Sequence, residues 1–251
     1  MSAADRAWRF DRAVGERAAD RVERFELGAA IYSDDLPRVY DANLVWIDAG
    51  VDGLDADDLE RLVERLQGDL GHRKVILPGG DASERLATEL AARGWSLAPT
   101  VVMEYAGERE REPQSGAATA EQVDVRAVRG ARMDALAGHS ADARRQVADY
   151  TERLGDAANG RVFAAFESGE VAAFCVLLEG DGLGEIDEVT TLERFRRCGL
   201  GTAVVEAALA ASLAAGHDLT FLVAAANDWP RQWYERLGFE VVGDRWEIYK
   251  T

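Results

Sequence analysis

The chain has 251 residues and a formal net charge of −17, with 46 acidic against 29 basic residues, of which only Lys74 and Lys250 are lysines. That balance repels polyanions and argues against nonspecific nucleic-acid binding. No apolar run approaches the roughly 20 residues of a membrane span, and His72, His139 and His217 with two separate cysteines, Cys175 and Cys198, form no structural metal pattern. The length admits one large domain or two small ones. An acidic, lysine-poor surface resembles that of proteins from salt-adapted organisms, and the lack of a basic-then-apolar start leads us to expect a soluble, cytoplasmic protein.

Residues 4–25 place Phe10, Val14, Ala18, Val22 and Phe25 at helical spacing, which predicts an amphipathic helix. Strand-like runs follow at 27–32 and 43–47, then a second amphipathic helix over 55–70 with Leu59, Leu62, Val63 and Leu66 on one face. A strand at 74–77, a helix at 83–93 with Ser83 as its cap, and a strand at 96–105 complete the first half. Residues 107–122 are charged, then small and polar, without apolar periodicity, and read as a linker. The second half is expected to contain a strand at 123–128, helices at 133–139 and 141–154, and strands at 162–166 and 171–178 joined by a Ser168-Gly169 hairpin turn. A strand over 184–191, a helix over 201–215, a strand from Leu219 and a helix started by Pro230 and ended by Gly238 follow.

The halves repeat. Gly71-His72 before one strand corresponds to Gly216-His217 before another, and Gly94-Trp95 corresponds to Gly238-Phe239. The division expected is 1–106, a linker, and 123–251.

Between the strand at 184–191 and its helix lies Arg196-x-x-Gly199-x-Gly201. A helix start is an anion site, because its first N–H groups lack internal partners and the helix dipole favours negative charge. Glycines let the backbone approach the anion, and Arg196 and Arg197 add fork-shaped donors. No Lys follows Gly201, which excludes a P-loop, and Val204 stands where the Rossmann fingerprint needs its third small residue. The loop resembles the Arg/Gln-x-x-Gly-x-Gly/Ala pyrophosphate loop of the GCN5-related N-acetyltransferases. The segment from Asn227 through Tyr234, Leu237 and Gly238 to Phe239 is similar to that family's second signature, departing from it at Pro230 and Trp233.

The resemblance implies a mixed α/β fold, two tandem acyl-coenzyme A N-acyltransferase folds with the first degenerate, similar in architecture to mycothiol synthase and related two-domain enzymes. It implies acetyl-coenzyme A as co-substrate, no metal, and acetyl transfer to an amine, a small molecule being favoured over a protein amino terminus; a non-catalytic acyl-coenzyme A sensor is the alternative from another class. The acceptor is expected between the halves, in a monomer or homodimer with neither nucleic-acid nor membrane partners. Val189, Thr190 and Thr191 would bond the pantetheine arm. Arg196 and the run Arg197, Cys198, Gly199, Leu200, Gly201, Thr202 would hold the pyrophosphate, and Asn227 would bond the cofactor near the reacting centre. Tyr234 would protonate the departing sulfur. Glu188 or Glu185 would be the base; alternation puts them on opposite strand faces unless a bulge reverses the parity. Trp229 and Arg231 would either contact the adenosine end or cap their helix. In the first copy the acids between Asp52 and Asp58 replace the loop, and Leu90 replaces Tyr234.

Overall fold

The computed structural model describes residues 1–107 and 118–251, so most of the expected linker 107–122 lies outside the described residues. The chain divides into two units: the first holds Ser2–Val102, Ala224–Gln232 and Val241–Thr251, the second Met103–Val223 and Trp233–Glu240, with Met1. Residues 224–232 and 241–251, which the expected division at 1–106 and 123–251 puts in the second half, count here with the first unit.

In the first unit α1 (Ala3–Ala18) opens on a capping box, Ser2 Oγ accepting from the Asp5 N–H at 3.1 Å and the Asp5 carboxylate from the Ser2 N–H at 3.0 Å. The helix expected through residue 25 ends at Ala18, and β1 (Arg21–Phe25) instead pairs antiparallel with β2 (Gly28–Tyr32). Val22 and Phe25 fit either period. β2, buried at all five positions, needs a neighbour for its backbone groups, and that decides the outcome. β3 (Leu44–Ile47), α2 (Ala56–Gln67) and β4 (Arg73–Pro78) form a parallel crossover, with Val45 opposite Val75 and Trp46 opposite Ile76. α2 packs Leu59, Val63 and Leu66 into a core with Val45, Val75 and Leu77. α3 (Asp81–Ala91) starts after Gly80, whose φ of +116° turns the chain early, so Ser83 lies buried inside the helix and does not cap it. β5 (Ser96–Tyr105) follows.

The second unit begins with β6 (Glu121–Val123). The strand expected over 123–128 stops there because the Asp124 carboxylate accepts from the Arg126 N–H at 2.9 Å and bends Val125–Val128 into a 3-10 turn. α4 (Arg129–Ala135) starts four residues before the expected helix, and α5 (Ala141–Ala157) is capped by Ser140. β7 (Arg161–Glu167) and β8 (Glu170–Gly180) are joined by Ser168 and Gly169 at φ +52° and +82°, the two left-handed residues a type I′ turn demands. β9 (Leu183–Thr191), α6 (Leu200–Ala214), β10 (Leu219–Ala225), α7 (Trp229–Arg236) and β11 (Phe239–Lys250) complete the chain. Pairing is antiparallel from β6 through β9, whereas β10 lies parallel to β9. In the first unit β11 runs antiparallel along β4.

The repeat is visible in the connectivity. β3-α2-β4-α3-β5 and β9-α6-β10-α7-β11 share the order of their elements and open on a parallel strand pair, and Gly94 (φ +85°) and Gly238 (φ +96°) each lead into a buried aromatic, Trp95 and Phe239. Leu90, fully buried four residues before Gly94, stands where Tyr234 stands before Gly238.

α6 crosses β9 at Gly184. A Cβ there would meet His217 Nδ1 at 2.7 Å and Ser212 Oγ closer still, and that hydroxyl is already tied to His217 at 2.8 Å and Thr220 at 2.7 Å. Gly184→Ala is therefore expected to cost about 1–3 kcal/mol of stability through overpacking, seen as a lower Tm in a thermal melt; an unchanged Tm would contradict the close crossing.

Candidate active site

The parallel register of β9 with β10 covers Leu183, Gly184 and Glu185 opposite Leu219, Thr220 and Phe221, while β9 runs on to Thr191. A 3-10 turn, Glu193–Phe195, then leads to two left-handed residues, Arg197 at φ +65° and Gly199 at φ +78°, and Gly199 opens α6 with no side chain capping the first-turn N–H groups. Those donors face the loop, and the dipole of α6 adds to them. Arg196 donates from Nε to the Thr191 carbonyl at 3.4 Å, and Arg197 has no ion pair among the described residues. A Cβ on Gly201 would meet Thr191 Oγ1 at 2.9 Å and the Trp233 ring at 3.6 Å, so glycine is needed to lay the first turn against the strand end. Trp233 Nε1 donates to Thr202 Oγ1 at 3.3 Å and holds α7 against the same turn. Backbone donors, exposed arginines and absent Cβ atoms fit a pyrophosphate. Cys198 is exposed in this loop, its thiol 3.6 Å from the Arg196 carbonyl.

Upstream, β9 carries a bulge. Its register with β8 shifts between Phe174 and Val176, so that Val176 faces Asp187 but Phe174 faces Thr190, and Glu188 takes φ +52°. A left-handed glutamate costs on the order of 1–3 kcal/mol and persists only where its surroundings fix it. Here they do: Arg132 of α4, 1% exposed, donates from Nε to Glu188 Oε1 at 2.5 Å and from Nη2 to Oε2 at 2.7 Å. The guanidinium also lies 5.6 Å over the Phe174 ring, and its Nη1 is buried without a hydrogen-bond partner among the described residues. Burial pushes the Glu188 carboxyl above the usual carboxylate range, a rise the Arg132 hydrogen bonds and charge oppose without cancelling. The bulge thus reverses the parity of β9. Gly184 faces α6, so alternation turns Glu185 to the other side, and Glu188 joins it there through Arg132. Glu185 is buried.

Tyr234, buried on α7, packs against Trp233 with ring centroids 4.7 Å apart and edge-on to Phe239 at 6.1 Å. Burial raises its phenol well above the ordinary tyrosine range, and the negative charges that Cys175 and Asp187 can carry add to the rise. Its hydroxyl therefore holds its proton at neutral pH. Cys175 is itself fully buried, its thiol 3.3 Å from the Val204 carbonyl and pushed up by burial. It is a packed core thiol.

The second unit thus brings together Val189, Thr190 and Thr191, the loop from Arg196 to Thr202, the glutamates of β9 and Tyr234. Asn227 is exposed in the turn after β10 and belongs to the first unit. Trp229 is exposed, and Arg231 donates to the Ala226 carbonyl at 3.4 Å. In the first unit the N-terminus of α2 is closed by Asp55, whose carboxylate accepts from the Asp58 N–H at 2.8 Å, and Asp57 is held below its usual range by Arg93. Sequence reasoning missed Arg132 and the bond from Trp233. Neither leaves a local signal, since Arg132 meets Glu188 across 56 positions.

Residues 130–239 match the model of the acetyltransferase (GNAT) family. That span contains the loop, the bulge and Tyr234, and over it the chain is similar to the GNAT acetyltransferases. Among solved structures, a functionally unknown conserved protein from Staphylococcus epidermidis aligns with TM-score 0.69 and 15% identity, over 92% of this chain and 94% of its own. A GCN5-related N-acetyltransferase from Kribbella flavida aligns with TM-score 0.62 and 18% identity, over 96% and 94%. A tandem GNAT protein from the clavulanic acid biosynthesis pathway aligns with TM-score 0.54 and 14% identity, over 89% and 78%. At these identities the likeness shows the fold alone. No curated protein matches the chain.

The raised phenol has a pH consequence. The neutral form of Tyr234 is favoured by the native state, so its contribution to stability is complete below pH 10, the ordinary tyrosine value, and is lost as pH rises beyond it. In an alkaline titration followed by phenolate absorbance, Tyr234→Phe is expected to remove amplitude only from the last phase, the one that accompanies unfolding. Loss of an early phase would show an exposed phenol instead.

Proposed function

We propose that the second unit transfers the acetyl group of acetyl-coenzyme A to an amine, by direct attack while both substrates are bound. The observation that carries this reading is the uncapped start of α6, opened by left-handed Arg197 and Gly199 and laid by Gly201 against the end of β9, beside a buried, protonated Tyr234. The amides of the loop with Arg196 and Arg197 hold the pyrophosphate, and the backbone of Val189, Thr190 and Thr191, beyond the register with β10, receives the pantetheine arm. Coenzyme A, when bound, supplies the activated acetyl group as a thioester. Attack by the neutral amine forms a C–N bond and breaks the C–S bond. Tyr234 delivers its proton to the departing sulfur.

The proton lost by the amine goes to Glu185, directly or through water, because both oxygens of Glu188 are engaged by Arg132. The acidic surface favours a cationic small molecule as acceptor. A protein amino terminus is the next acceptor class. The engagement of Glu188 also favours a second reading, an acyl-coenzyme A sensor that binds without turnover.

Calorimetric titration with acetyl-coenzyme A is expected to show one site per chain, lost in Gly201→Glu; a wild-type chain that binds none would refute the proposal. An acceptor screen over amines, amino acids and peptides, read by coenzyme A release, separates enzyme from sensor. With an acceptor found, Tyr234→Phe and Glu185→Gln are each expected to slow release by about 10²–10⁴-fold, and a wild-type rate in either variant would remove that residue from the chemistry.

A further inference from the structure

Arg132 is the largest side chain to lie fully buried, and it is a charge. It reaches from α4 to a single backbone feature, the bulge of β9, and takes both carboxylate oxygens of the residue whose backbone is left-handed. Glutamate rarely adopts that conformation, and nothing in its own chemistry favours it. Two parallel hydrogen bonds fix the carboxylate in plane and in distance, and the short glutamate stem carries that constraint to the backbone. The bulge in turn decides which groups of Val189, Thr190 and Thr191 face away from β8, with Thr190 set opposite Phe174 and Thr191 opposite Ala173.

We propose that Arg132 is a positioning residue, which with Glu188 braces the β9 bulge and so aligns the strand that receives the pantetheine arm; Glu188 is a strut and not the base. The inference rests on the acetyl-coenzyme A reading above. It makes no claim on the pyrophosphate loop, whose left-handed residues Arg197 and Gly199 and uncapped helix start are formed locally. The two parts of the cofactor are therefore expected to respond differently to loss of the brace.

The test compares calorimetric binding of acetyl-coenzyme A with that of 3′-phospho-ADP, which carries the pyrophosphate and no pantetheine. Arg132→Gln is expected to weaken acetyl-coenzyme A at least tenfold while leaving 3′-phospho-ADP within twofold of wild type. Equal losses for both ligands, or none for either, would overturn the brace. Glu188→Gln is expected to weaken acetyl-coenzyme A likewise; a base would instead leave binding intact and affect only the rate, and that outcome would overturn the assignment. Should Arg132→Gln fail to fold, the double variant Arg132→Met with Glu188→Gly decides. It removes the buried charge and lets glycine take the left-handed conformation without bracing. Recovery of acetyl-coenzyme A affinity to within threefold of wild type is expected, and a loss beyond tenfold in a folded double variant would overturn the proposal. A wild-type chain that binds 3′-phospho-ADP but not acetyl-coenzyme A would overturn the proposed function, and this inference with it.

Discussion

The first turn of α6 has to lie against the end of β9 with no side chain between them, and the candidate site of the second unit is built on that approach. A parallel pair such as β9 and β10 needs a crossover helix, and the crossover returns the helix N-terminus to the carboxyl end of the strand it left. In open α/β sheets ligands collect at that end. Gly201 removes the Cβ that would strike Thr191, and Gly184 removes the one that would strike Ser212 further along the same crossing. With both contacts tight, the helix starts at a fixed height above the strand. Its free N–H groups then form a fixed array and not a frayed end.

Charge separates the two units more sharply than topology does. The chain carries an excess of 17 negative charges, yet Arg197 at this helix start has no carboxylate partner among the described residues. In the first unit the equivalent helix start is filled by Asp55, a side chain of its own segment, with Asp57 and Asp58 in the next turn paired to Arg93 and Arg61. An Asp at the cap contributes about 1 kcal/mol to its helix and occupies the donors that an anion would use. The same element is thus stabilised from within by its own carboxylate in one copy, and among the described residues it has no side-chain cap in the other.

What was legible in the sequence was what is local. The glycine loop, the Ser168-Gly169 turn and the αL cap at Gly238 each depend on one residue type at one place, and each is where its residues indicate. The repeat was legible because Gly94-Trp95 and Gly238-Phe239 mark the same turn in both copies. The elements misread were those in which a distant partner outvoted local period: Val22 and Phe25 keep a helical spacing, but β2 recruits them as a strand. Asp124 ended a strand that Val123 and Val125 would have continued, through one hydrogen bond to Arg126. The bulge at Glu188 could only be entertained as a condition, because it is set by a register between β8 and β9 and by an arginine 56 positions away.

That arginine bears on how Glu188 should be understood. A buried ion pair is weak support for stability, since desolvating two charges offsets most of their attraction, and an apolar pair of like volume often does as well or better. A left-handed glutamate adds a further cost on the order of 1–3 kcal/mol. An apolar pair at these positions would escape the first cost, and a glycine at 188 would escape the second. An apolar pair would not define one backbone conformation, because its side chains fix neither plane nor direction, whereas a glycine would simply let the left-handed conformation form at little cost. A bidentate pair fixes both. The arrangement is expensive as a source of stability and effective as a source of geometry, and the strand whose geometry it sets is the one that leads into the helix start on which the site depends.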